Sequence, residues 1–339
     1  MNRSKNELEI KNKVNMIVRN KLPKFASRYF KANMGTKSPQ SLYGYALDLT
    51  SFFEYLKYRE PDLFDVTGMT LLDLNELTSS VIEDYLDYSR EYTDKGVTKT
   101  RSEAAIKRRY SSLSSFFNYY YKLDMIDKNP VSKVTPPRIK KQYQITPSVK
   151  ANRNIIDFIY NGKLEGRPGE FQGITNLRDA AIVTLIASTG IKVSELVNMN
   201  IEDVHLDEHY ISIYGRGNKK RIIYISDPTA VAIGRYLDTR LEMIAEHGHD
   251  EALFLSLRAT RLTVRAIEYM IKKYSQAVMD GDGHLTPEAL HQSFRNSIFD
   301  QSMNLPFTSD VCGLARDSIL QYYRPYIDDY ESRKGQEFK

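Results

Sequence analysis

The chain has 339 residues, 41% of them hydrophobic and 27% charged, which is too long for one ordinary domain and suits two soluble globular units. Its single cysteine, Cys312, excludes an intrachain disulfide and a cysteine metal cluster. No stretch approaches the roughly 20 apolar residues of a membrane helix, and the opening Met1-Asn2-Arg3-Ser4-Lys5 has no apolar signal core, so a reducing cytoplasm is the expected compartment. Lysine and arginine number 48 against 43 acids, a net charge of +5, and its distribution says more than its size.

The first half reads as helices. After Lys37-Ser38-Pro39, a start signal, the residues Leu42, Tyr45, Leu49, Phe52, Phe53 and Leu56 recur at steps of three and four, one apolar helical stripe. A second helix is expected from Ser79 to Tyr92, closed by the turn Thr93-Asp94-Lys95-Gly96. A third runs from about Ser102 to Leu123, with Ile106, Tyr110, Leu113, Phe116, Phe117 and Tyr120 on its inner face and Lys107, Arg108 and Arg109 falling largely on the other side. Between Lys99 and Lys150 there are twelve cations against three acids, Glu103, Asp124 and Asp127; such a local excess suits a phosphate backbone.

Thr135-Pro136-Pro137-Arg138-Ile139-Lys140-Lys141 combines two prolines with several cations and reads as an extended linker. The expected organisation is therefore a helical DNA-binding domain over 1–134, a basic linker over 135–150, and a second domain over 151–339. That second domain is mixed. Leu177 to Ala187 reads as a buried helix ended by Thr189-Gly190, and Tyr210–Tyr214 and Arg221–Ile225 as two strands of a hairpin around Gly215-Arg216-Gly217-Asn218-Lys219-Lys220. Helices are expected at about Pro228–His247, Thr263–Met279, Thr286–Ser302 and Arg316–Tyr323. The fold class is mainly α with a small β-sheet, an N-terminal helical domain followed by an α+β domain.

From about Ser38 to Tyr326 this layout resembles the tyrosine recombinase (phage integrase, Xer-like) family. Tyr45-x-x-Asp48-Leu49-x-x-Phe52-x-x-Tyr55-Leu56 matches the family's core-binding domain. Thr189-Gly190-Ile191-Lys192-Val193-Ser194-Glu195-Leu196 looks like its Thr-Gly-Leu-Arg-Val-Ser-Glu-Leu box, and Thr286-Pro287-Glu288-Ala289-Leu290-His291-Gln292-Ser293-Phe294 like its Thr-Pro-His-x-Leu-Arg-His-Thr-Phe box. The resemblance implies a clamp on duplex DNA, a tyrosine that attacks a phosphodiester to give a 3′-phosphotyrosine, two phosphate-holding arginines, a hairpin lysine and two assisting groups. It implies no metal and no small-molecule cofactor.

Carried over position by position, the site departs from that set. Tyr323 stands at the nucleophile position, with Tyr322 and Tyr326 as neighbouring candidates. Lys192 stands where the first arginine belongs, keeping the charge without the planar fork. Arg216 stands at the hairpin lysine, where a guanidinium holds its proton too tightly to act as an acid; Lys219 and Lys220 are possible substitutes. Glu288 replaces a histidine, His291 the second arginine and Leu314 the late histidine or tryptophan, while Arg295, one turn past His291, is placed to reach back. Glu195 is retained. Removing one fixed donor from a charge-stabilising site costs about 3–4 kcal/mol of transition-state stabilisation, so impaired or absent cleavage is the expected outcome. DNA contacts are expected from Lys107, Arg108 and Arg109, from Arg138, Lys140 and Lys141 in the linker, and from Lys219, Lys220 and Arg221 on the hairpin; Arg258, Arg261, Arg265, Lys272 and Lys273 mark another cationic stretch. Three readings compete. The first is a cleavage-impaired DNA-binding accessory or regulator, working as a homo-oligomer on DNA or with a partner recombinase. The second is an active recombinase of a mobile element with a rearranged site. The third is an interaction module using the segment Tyr326 to Lys334. None involves a membrane.

Overall fold

A computed structural model describes residues 2–61, 65–94, 96–138, 149–215, 220–279, 285–313 and Tyr323. The chain divides into two compact units, Met1–Gln142 and Tyr143–Lys339.

The first unit is helical: α1 (Asn2–Lys21), α2 (Ala26–Asn33), α3 (Pro39–Arg59), α4 (Leu71–Glu76), α5 (Ser79–Tyr88) and α6 (Glu103–Tyr121). The start signal of α3 works as expected, since Ser38 Oγ accepts the Ser41 amide at 3.1 Å and Pro39 fills the first turn. Ser102 caps α6 in the same way. The two predicted stripes meet in an aromatic core: Phe52, Phe53, Phe116, Phe117 and Tyr120 are all fully buried, and Phe52 meets Tyr85 edge to face with ring centroids 5.1 Å apart. One expectation fails here. The helix predicted to Tyr92 stops at Tyr88, and the next residues form a hairpin, β1 (Glu91–Asp94) against β2 (Val97–Thr100), in antiparallel register from Glu91↔Thr100 to Asp94↔Val97. Arg101 explains the change. Its guanidinium donates to the carbonyls of Ser89 at 2.7 Å and Glu91 at 3.2 Å and lies over the Tyr92 ring, drawing the chain out of the helix.

The second unit contains α7 (Val149–Asn161), α8 (Arg167–Glu170), α9 (Gln172–Thr189), α10 (Val193–Leu196), the strands β3 (Val204–His205), β4 (Tyr210–Tyr214) and β5 (Lys220–Tyr224), then α11 (Asp227–Glu242), α12 (Val264–Val278), α13 (Pro287–Ser302) and α14 (Leu305–Cys312). Helix α7 begins inside the stretch read as linker; residues 139–148, with Lys140 and Lys141, lie outside the described residues, as does the helix expected from Arg316 apart from Tyr323. The strands form one antiparallel sheet in the order β3-β4-β5. Helix α9 is the central element: Ala180 through Val183, Leu185 and Ile186 are fully buried, and α7, α11 and α13 pack on it. It ends at Gly190, whose φ of +60 is left-handed and whose added Cβ would lie 2.4 Å from the Phe294 ring. Helix α11 stops at Glu242, short of the predicted His247, because Arg240 turns inward to the carbonyls of Ala252 at 2.9 Å and Asp250 at 2.7 Å. No helix among the described residues is long and apolar enough to cross a membrane.

Candidate active site and nucleic-acid interface

Three of the expected catalytic positions come together. Lys192, Glu288 and His291 line one open cleft of about 710 Å³. Lys192 sits at the N-cap of α10, half-buried, with its own amide donating to Glu195 Oε2 at 3.1 Å. Thr286 caps α13 by accepting the Ala289 amide at 3.1 Å, which puts Glu288 in the first turn. A carboxylate there is favoured by the helix dipole, a structural reason for an acid where the family resemblance implies a histidine.

His291 is buried, with 3% exposure. Its Nδ1 is bonded to the Gly190 carbonyl. A carbonyl can only accept, so Nδ1 carries the hydrogen and a neutral ring leaves Nε2 as an acceptor. Burial holds the imidazole pKa below its ordinary value, outweighing the pull of Glu288 the other way. The position expected from the resemblance to hold the second guanidinium thus carries a neutral ring fixed to backbone. Arg295, one turn on, is buried on the same face of α13.

Arg221 corrects the sequence reading. Expected to extend from the hairpin toward phosphates, it instead turns inward and forks onto the buried Glu195, Nη1 to Oε1 at 3.1 Å and Nη2 to Oε2 at 3.2 Å. It passes so near Gly313 that a Cβ at that glycine would lie 2.2 Å from Nη1. Period-two alternation on β5 accounts for this: Lys220, Ile222 and Tyr224 are exposed and Arg221 lies on the other face. Burial raises the pKa of the Cys312 thiol, while the positive charges of Arg295, Arg221 and Lys192 pull it down. Arg216, Lys219, Leu314, Tyr322 and Tyr326 fall outside the described residues. Tyr323 is buried, stacked on Phe299 at 4.3 Å, and donates its hydroxyl to Asn296 Oδ1 at 2.8 Å. Among the described residues no group of three or more His, Cys, Asp or Glu is placed to hold a metal.

The basic run of α6 is also corrected. Arg109 is 8% exposed and donates to the Tyr85 hydroxyl at 2.7 Å, so it is a core residue and not an outer cation. Consecutive helical residues point 100° apart, and position 109 is three past Ile106 and four before Leu113, on the apolar stripe itself. Arg108 is half exposed but pairs with the buried Asp48 and donates to the Gly44 carbonyl at 3.3 Å. Lys107 and Arg138 remain exposed, as does Lys220. The cationic stretch of the second unit divides three ways. Arg261 turns inward to the carbonyls of Val197 and Met199. Arg258 and Lys273 line a separate cavity. Arg265 and Lys272 line the cleft that holds Lys192 and His291, with Glu268 and the 64% exposed Tyr269 between them. These residues join the site from α12, and their i, i+3, i+4, i+7 spacing is the one sequence signal that puts them on a common face.

The model of the phage integrase family matches residues 170–328. The chain is 29% identical over 312 residues to tyrosine recombinase XerC of Caldanaerobacter subterraneus subsp. tengcongensis, covering 91% of this chain and 83% of that protein. With tyrosine recombinase XerC of Thermodesulfovibrio yellowstonii it shares 30% over 242 residues, covering 69% and 75%. Among solved structures, XerH recombinase in a post-cleavage complex with palindromic difH substrate superposes with a TM-score of 0.63 at 15% identity, over 89% of this chain and 81% of that one. The Tn1549 transposon integrase in complex with a circular intermediate DNA gives 0.61 at 15% identity, over 93% and 94%. The two-unit order, the Thr189–Leu196 and Thr286–Phe294 boxes in one cleft, and these matches together establish that the chain belongs to the tyrosine recombinase (phage integrase) family.

Proposed function

We propose that the protein binds duplex DNA as a member of a recombinase assembly and that its own strand cleavage is impaired. One observation carries the second half of this reading: His291, at the second arginine position, is buried, neutral and tied through Nδ1 to Gly190. A phosphate entering the cleft therefore meets Lys192 as a point charge, no guanidinium fork at position 291, and the carboxylate of Glu288. DNA binding is supported by the exposed Lys107, Arg138 and Lys220, by Arg265 and Lys272 beside the cleft, and by relatives of this fold seen on DNA. Such phosphate contacts give affinity and register without sequence choice.

A second reading, an active enzyme with a rearranged site, draws on Glu195, whose carboxylate takes both the Lys192 amide and the fork of Arg221 and so ties the hairpin to the cleft. The same experiment separates the two. A suicide duplex from the flanks of the protein's own gene, nicked near the scissile position, is incubated with wild type and Tyr323→Phe, then run on native and denaturing gels. The expected result is a salt-sensitive shift for both proteins and no covalent band. A covalent band that disappears in Tyr323→Phe establishes the rearranged enzyme. Absence of any shift at low salt removes the DNA reading altogether.

A further inference from the structure

A second cavity of the C-terminal unit, about 610 Å³, is lined by neither Lys192 nor His291 and adjoins their cleft at Tyr269. Its apolar lining includes Phe171, Leu257, Leu262 and Met270, and its cations are Arg178, Arg258 and Lys273. Asp179, fully buried behind it, takes the guanidinium of Arg178 at 2.6 Å, the hydroxyl of Tyr274 at 3.0 Å and, more distantly, Lys273 Nζ at 3.9 Å. One carboxylate is thus shared by two cations, and among the described residues Arg258 has no ion-pair partner. The cavity carries a net positive field over an apolar lining.

The turn that contributes Ser256, Leu257 and Arg258 to its lining is strained. Ala259 has φ +55, a left-handed conformation uncommon for a residue with a Cβ. The turn closes with Ser256 N to Thr260 O at 2.8 Å and Ala259 N to Ser256 O at 2.9 Å, and the Ser256 and Thr260 hydroxyls bond at 2.9 Å. What this construction presents is Leu257, 55% exposed, beside the exposed Arg258. Phe171 faces the same space at 37% exposure. Bulky apolar groups held open next to Arg258, and next to two cations that share one carboxylate, match a ligand that is apolar and anionic together.

We propose that this cavity docks an acidic peptide segment of a partner protein, one that alternates Asp or Glu with large apolar side chains. Apolar anchors seat on Phe171, Leu257 and Met270, and the flanking carboxylates face Arg258, Arg178 and Lys273. A DNA backbone fits less well, because a phosphate gains nothing from an apolar floor.

The test is selection of a phage-displayed random dodecapeptide library on the immobilised full-length protein, with counter-screening on Arg258→Glu. Both test positions, Leu257 and Arg258, lie at an exposed turn outside the catalytic cleft. The expected result is enrichment of sequences carrying Asp or Glu beside Leu, Ile or Phe. The labelled consensus peptide should bind wild type and lose roughly tenfold or more in affinity to Arg258→Glu and to Leu257→Ser, with duplex binding by both variants unchanged. Three results overturn the proposal. One is no enrichment, or a consensus indifferent to both substitutions. Another is Arg258→Glu weakening the duplex shift, which makes the cavity a phosphate contact. The last is wild type sedimenting as a dimer that Arg258→Glu converts to monomer, which seats a second copy there instead.

Discussion

Arg108→Ala is expected to destabilise the N-terminal unit before it tells anything about DNA. Asp48 is 2% exposed and accepts from Arg108 and from Ser112 Oγ, the latter at 3.1 Å. Breaking a fully buried ion pair costs about 3–5 kcal/mol, whereas an exposed pair contributes about 0–1 kcal/mol because water screens it. Here one partner is buried and the Arg108 side chain is 49% exposed, so the screened end of the range must be weighed in; Ser112 and the charge of Arg109 also remain to Asp48. About 2 kcal/mol is the resulting figure. For a unit spanning Met1–Gln142 that corresponds to roughly 6–8 °C in unfolding midpoint. The pH dependence has a definite sign. Burial raises the Asp48 pKa, opposed by Arg108 and Arg109, so the folded state favours the protonated form and the contribution to stability falls as pH rises through the window above the ordinary carboxylate range. Without Arg108 the pKa rises further, and the deficit relative to wild type is smallest in acid and grows toward neutrality. Thermal unfolding by circular dichroism, with hydrogen exchange assigning the transition to α3 and α6, reads it. Lys107→Ala is the matched control, expected to leave the midpoint unchanged and to weaken the salt-dependent DNA shift. An Arg108→Ala midpoint within about 1 °C of wild type refutes the reasoning, and Arg108 then returns to the list of free DNA contacts.

Three further outcomes follow from the second unit. Gly190→Ala combines left-handed strain with a Cβ 2.4 Å from the Phe294 ring and should lower stability by about 2–3 kcal/mol in urea titration; a neutral effect would show that α9 ends otherwise. His291 should appear in long-range 15N–1H spectra at neutral pH as the tautomer protonated on Nδ1, with a titration midpoint below the ordinary 6.5. Because its folded pKa is depressed, the unfolded chain takes the proton first: stability is complete above about 6.5 and declines as pH drops from there toward the folded value. His291→Gln should flatten that slope. Arg221→Lys loses one of two bonds to Glu195 and should cost about 1–2 kcal/mol. Gly313→Ala should then cost less in that background than in wild type, since Arg221 Nη1 no longer fills the space; strictly additive losses would contradict the contact.

Much of the fold was legible because its signals are local. Ser38, Ser102, Thr263 and Thr286 announce helix starts and do cap them. The stripes of α3 and α6 mark the first core. What sequence reading lost were long-range effects. Arg101 and Arg240 end helices by reaching carbonyls on other segments, and nothing in their neighbourhoods says so. Arg109 was legible in principle, since counting from Ile106 puts it on the buried stripe, but a run of three cations invites the assumption of one common face. Arg221 needed the parity of β5 and the position of Glu195, 26 residues away. In the candidate site the family boxes brought Lys192, Glu288 and His291 to one cleft, while the α12 side of that cleft became visible only when the helices were packed.

The way polar groups are satisfied in and around the cleft explains how this site can hold its residue set without loss of fold. In a phosphate-cleaving centre the donors must aim at a ligand that is absent most of the time, so their hydrogen-bonding capacity is left open. Here much of it is closed by the protein itself. The Nδ1–H of His291 is spent on Gly190, the carboxylate of Glu195 on the Lys192 amide and the fork of Arg221, the charge of Glu288 on the first turn of α13, and the Tyr323 hydroxyl on Asn296. Each of these interactions stabilises the unliganded domain, whereas open donors at positions 288 and 291 would be held for a transition state. The exposed cations Lys107, Lys220, Arg265 and Lys272 show the opposite arrangement, with no ion-pair partner among the described residues. On the proposed reading, binding and cleavage draw on separate groups, and a protein built this way can lose the second while keeping the first.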